Sequence, residues 1–75
     1  MEPTREEYLM DFRERCHRVK DFEILKQNVI NRECPFLECD FERDTEFKTM
    51  RRYYRKHIGN GLMDDLLSII EEVRK

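Results

Sequence analysis

The stretch from Leu9 to Val29, LMDFRERCHRVKDFEILKQNV, decides the fold. Its apolar residues open as one helical stripe: Leu9, Phe12, Cys16 and Val19 recur at spacings of three, four and three, the period of an amphipathic helix. The stripe then moves. At 100° per residue, Phe22, Leu25 and Val29 fall on the opposite side of a helix carried straight through. A single helix over the whole N-terminal segment would also be about 40 Å long, whereas a compact chain of this size has a radius of gyration near 11 Å. Both facts place a break close to Asp21, a side chain suited to capping a new helix. The expectation is a helix over about 5–19, with Thr4 as N-cap, and a second over about 21–31. The rival is one long helix with two apolar faces, which would need a dimer or a partner to cover the second.

Outward from this stretch, residues 32–44 form a connector. Pro35 stops a helix, yet Phe36, Leu37 and Phe41 are too apolar for a solvated loop, so an irregular segment or short hairpin pinned by its aromatics is expected. A third helix is read over about 45–58, with Asp44 as N-cap and Gly59 or Asn60-Gly61 as its stop. A fourth covers about 62–74, where Leu62, Leu66, Ile69, Ile70 and Val73 make the apolar stripe. Asp64 and Asp65 in its first turn and Arg74 and Lys75 in its last suit the helix dipole. The fold class is therefore mostly α: one small domain over 1–75, a bundle of three to four helices.

Composition narrows the function. The chain has 75 residues, 39% hydrophobic and 43% charged, with five Phe, three Tyr, two Gly and two Pro. No apolar run approaches the roughly 18 to 20 residues of a membrane span. So short a chain has little material with which to wall a pocket around a small-molecule substrate as well as build a core. The sequence shows no glycine-rich phosphate loop and no paired-His metal motif, and its carboxylates are interleaved with Arg and Lys. A non-enzymatic chain is expected. No secretory leader follows Met1, and three cysteines make a poor disulfide framework. Both point to the cytoplasm, or the nucleus in a eukaryote.

Charge is segregated. Residues 1–47 hold eight Lys and Arg against thirteen Asp and Glu, whereas residues 48–57 hold five basic residues and no acid. Lys48, Arg51, Arg52, Arg55 and Lys56 share the side of the third helix away from its apolar face. Such a face can track phosphates or dock an acidic protein surface. The plain alternative is a solvated face balanced by acids elsewhere.

Cys34-Pro-Phe-Leu-Glu-Cys39, followed on the next helix by Tyr53 and His57, resembles a two-Cys two-His zinc finger over residues 34–61. In that family a Cys pair on a hairpin faces two His on a helix, and the four side chains hold zinc as a tetrahedron. The resemblance implies Cys34, Cys39 and His57 as ligands, with Cys16 or His17 available for the fourth position, because Tyr53 stands where the family has its first His. A structural zinc is the one cofactor this admits; without the resemblance, none is expected, and the thiols are ordinary core or surface residues.

Two functions follow. The first is a small regulatory or adaptor module that binds protein, its own copy included, of the kind viruses and phages direct at host factors. Its contact surfaces would be Phe22, Leu25 and Val29, the second apolar face, and the edge of the last helix at Met63, Leu67 and Ile70. On that reading Leu25→Glu abolishes association without unfolding. The second is nucleic-acid binding through the basic helix, with or without zinc. A sequence pI near 5.7 weighs against it.

Overall fold

In the computed structural model, which describes residues 2–75, the stripe breaks at the expected place. Helix α1 (Arg5–Arg18) begins at Thr4, whose hydroxyl oxygen accepts the Glu7 amide at 3.1 Å. The chain extends through Val19, and α2 (Phe22–Ile30) begins at Asp21, whose Oδ1 accepts the amides of Glu23 and Ile24 at 3.0 and 3.3 Å. Two of the orphan donors of a helix start are thereby satisfied. With the chain turned at this joint, the apolar face of α2 folds onto the same core as that of α1. Tyr8, Phe12 and Cys16 from α1 and Leu25 and Val29 from α2 are all buried together. The rival single helix is not formed.

Helix α2 closes with a Schellman motif. The Glu33 amide reaches back to the Asn28 carbonyl at 2.8 Å and the Arg32 amide to that of Val29 at 3.1 Å. Arg32 takes the left-handed conformation, φ 63°, where glycine is usual. A residue with a Cβ gives up about 1 kcal/mol there.

The connector contains no strand. It is irregular, with a 3-10 turn at Glu38–Asp40. It is fixed from two sides. Phe36 inserts into the core, edge-on to Tyr8 at 5.4 Å and to Phe12 at 6.3 Å between ring centroids. On the polar side, the Asp40 carboxylate accepts the Leu37 amide at 2.6 Å and pairs with Arg15 at 3.3 Å and Arg18 at 3.6 Å. Asp40 is 3% exposed in its side chain, so these contacts form away from water, where charge-assisted bonds count for more.

Helix α3 spans Asp44–His57. Arg43, not Asp44, occupies the capping position, and no side chain caps it; Asp44 lies in the first turn and pairs with Lys48 at 3.1 Å. An acid there still favours the dipole. The chain turns between α3 and α4 (Met63–Arg74) at Asn60-Gly61, with Gly61 at φ 85°. Helix α4 packs against both α1 and α2. Its Leu66, Ile69 and Ile70 join Met50, Tyr53, Tyr54 and Leu62 in the core. Its edges are tied to α1 by Arg5–Asp65 and Arg13–Glu72, and to α2 by Glu23–Arg74 and Lys26–Glu71. Each such exposed pair contributes at most about 1 kcal/mol. The product is a small helical bundle, with a radius of gyration of 11.4 Å. Among the described residues, no helix is long and apolar enough to cross a membrane.

Candidate functional site

Helix α3 presents its basic residues as the sequence suggests. Met50, Tyr53 and Tyr54 turn inward, and Lys48, Arg51, Arg52, Arg55 and Lys56 are all exposed on the other side. Their electrostatic situations differ. Lys48 is held by Asp44, and Lys56 by Glu2 at 3.5 Å. Among the described residues, Arg51, Arg52 and Arg55 have no carboxylate within 4.0 Å. The uncompensated charge of α3 is thus three guanidiniums within one and a half turns of helix.

On another side of the molecule, α1, Phe41 and the start of α3 border an open groove of about 640 Å³. Pro3, Phe41 and Met50 give it apolar walls, and Glu2, Glu7, Asp11 and Glu46 line it with carboxylates. The Asp11 carboxyl is raised above its ordinary value, first by partial burial and then by Glu7, Glu14 and Glu46. Sequence reasoning missed this groove. Glu7 and Asp11 are a like-charged i, i+4 pair visible in the sequence, but nothing there brings Glu46 and Phe41 to them.

The proposed zinc ligands are not assembled. Cys34 is half-buried in the connector, Cys39 is exposed on the 3-10 turn, and His57 lies against Tyr53 with ring centroids 4.2 Å apart. Cys16 is in the core, and His17 is exposed on α1. Among the described residues, no group of three or more His, Cys, Asp or Glu is placed to hold a metal ion. The connector lacks the hairpin that would have brought two thiols together, so the zinc-finger resemblance is overturned. Burial pushes the Cys16 thiol up to about 11. Burial also raises Cys34, against the opposing pull of the Phe36 amide and of Arg51 and Arg55.

The expected apolar contact surface is also corrected. Leu25 is 2% exposed and Val29 and Ile70 are fully buried; Phe22, Met63 and Leu67 are half-buried and pack on the core. For α2 the break at Asp21 is the reason, because it turns the second face inward; α4 packs against both α1 and α2, which covers its edge. The large apolar side chains that do face solvent are Met10, Ile24, Ile30 and Leu37. They sit on α1, α2 and the connector, and scattered single residues of this kind are ordinary on a protein surface.

Comparison of the chain with protein-family models, with curated proteins and with solved structures finds no match.

Proposed function

We propose that this chain is a non-enzymatic protein-binding module that docks an acidic protein surface on the exposed face of α3. The observation that carries this reading is the unpaired trio Arg51, Arg52 and Arg55 on a helix whose flanking lysines are already neutralised within the chain. Guanidiniums suit the work. They are weakly hydrated and bind carboxylates through two parallel hydrogen bonds. The compactness of the patch favours a protein over a long polyanion, since three arginines within one and a half turns offer few phosphate contacts and the chain carries a net charge of -2. On this reading Cys16 and Cys34 are not nucleophiles, since burial shifts both away from the thiolate.

Nucleic-acid binding is the second reading, favoured by the same unpaired arginines. Anisotropy titrations separate the two, using a labelled Glu-rich peptide, a DNA duplex and an RNA strand over a range of salt. The protein-docking reading expects the peptide to bind best and Arg52→Glu with Arg55→Glu to abolish its binding. Tighter binding of duplex or strand, with log K falling against log salt at a slope of about −3 on the duplex or about −2 on the strand for three neutralised phosphates, would move the assignment to nucleic acid. No binding of any probe would refute both.

A further inference from the structure

The arginines of α3 and the groove are complementary, and apart from Glu2, which Lys56 holds, neither is satisfied within its own chain. Among the described residues, Glu7, Asp11 and Glu46 have no Lys or Arg within 4.0 Å, just as Arg51, Arg52 and Arg55 have no carboxylate. Partial burial first, and then the unpaired charges of Glu7, Glu14 and Glu46, raise the Asp11 carboxyl.

Arg52 and Arg55 do not reach Glu7, Asp11 or Glu46 within one chain. Helices α1 and α3 run antiparallel: Glu2 pairs with Lys56 at one end, Tyr8 stacks on Tyr53 in the middle, and Asp11 feels the Glu46 charge at the other. The acid-rich end of the groove is therefore at the start of α3. Arg52 and Arg55 lie about 9 and about 13 Å further along the axis. At 100° per residue they also project between a third and a half of a turn away from Glu46. Patches on such different sides do not share one face. A two-fold contact, in which one face meets itself, would leave them apart.

What remains is a head-to-tail contact. We propose that the chain associates with further copies of itself, Arg52 and Arg55 of one copy entering the groove formed by Glu7, Asp11, Phe41 and Glu46 of the next. This rests on the reading of α3 as a protein-docking face and names the acidic surface it meets. The chemistry is matched: Phe41 offers a flat apolar surface over which a guanidinium stacks, and the carboxylates accept its hydrogen bonds. A heterologous contact leaves one arginine face and one groove free at the ends of every assembly. Association therefore grows with concentration, and it weakens with salt because both patches are exposed.

The test uses the full chain under reducing conditions, with native mass followed by sedimentation at about 0.1 M and about 1 M salt, where the Debye length falls from roughly 10 Å to roughly 3 Å. Two neutral, one-sided variants are made at exposed positions: Arg52→Ala with Arg55→Ala, and Asp11→Asn with Glu46→Gln. Circular dichroism verifies that each is folded. If either is not, Arg55→Glu and Glu46→Arg replace them. The wild type is expected to grow in average mass with concentration at the lower salt and to become monomeric at the higher. Each one-sided variant is expected to be monomeric alone. Their equimolar mixture is expected to give a 1:1 complex and nothing larger, since each supplies the surface the other lacks. A wild type monomeric up to millimolar concentration, a dimer that never grows, a one-sided variant that associates like the wild type, or a mixture without a complex would each overturn the proposal. The Glu-rich peptide distinguishes the depth of such a failure. Peptide binding that persists at Arg52 and Arg55 removes only the second copy as occupant, whereas its loss removes the docking role of α3 itself.

Discussion

Tyr8 and Tyr54 bury their rings in the same core, but their hydroxyls are treated differently, which makes a pair of one-atom deletions informative. The Tyr54 hydroxyl donates to the Val29 carbonyl at 3.2 Å, joining α3 to the end of α2. The Tyr8 hydroxyl is buried with no hydrogen-bond partner. Burial raises its phenol above the ordinary range, and the neighbouring Cys34, Tyr54 and Tyr53 add to the effect. A desolvated hydroxyl without a bond costs about 1 to 3 kcal/mol. Tyr8→Phe removes that cost while keeping the ring stacked on Tyr53 at 4.8 Å and edge-on to Phe36. The only space opened is that of one oxygen. The variant is expected to be more stable by about 1 kcal/mol, a rise of roughly 4 to 8 °C in Tm for a chain of this size. Tyr54→Phe is expected to lose about 1 kcal/mol, and not more, because the Val29 carbonyl still accepts the Arg32 amide. Urea unfolding of the three proteins, with slopes compared as well as midpoints, measures both differences. A Tyr8→Phe variant less stable than the wild type by 1 kcal/mol or more would show that this hydroxyl is bonded, and the reasoning from its isolation would be wrong.

Two further outcomes follow from burial. Leu25→Glu is expected to unfold the chain, with a loss of more than about 3 kcal/mol from an unpaired charge in the core; a folded variant in circular dichroism would return Leu25 to the surface. Alkaline pH is expected to destabilise the protein. Burial raises the Cys16 thiol from 9.0 to about 11 and the Tyr54 phenol from 10.0 to about 12, so the unfolded chain loses these protons first and is favoured as pH rises. The urea midpoint should be level below about pH 9 and fall between about pH 9 and about pH 12; a level midpoint across that window would contradict the burial of these groups.

The parts of this fold that were legible in the sequence are those in which local chemistry and period agree. The shift of the stripe after Val19 and the capping carboxylate of Asp21 mark one joint by two independent signals, and the joint is there. The basic face of α3 was readable because a helix surface follows from spacing alone. The errors arose where the answer depends on three dimensions. The shifted face of α2 looked like a contact surface, although the break that shifts it also folds it into the core. Cys34, Cys39 and His57 had spacing that resembled a metal site, but spacing carries no information on whether the connector turns as a hairpin. Asp44 lost the capping position to Arg43 by one residue and stands in the first turn instead. The groove could not be read because its carboxylates and Phe41 come from segments that only packing brings together.

Asp40 has a consequence for where this chain keeps its shape. One carboxylate gathers the Leu37 amide and two arginines of α1, and so fastens the longest irregular segment to the bundle. Cys39, the exposed thiol that precedes it, takes no part in that fastening, whereas Cys34 packs against the core and receives the Phe36 amide. The Asp40 fastening is ionic and hydrogen-bonded, so oxidation of the exposed Cys39 thiol is expected to leave it in place.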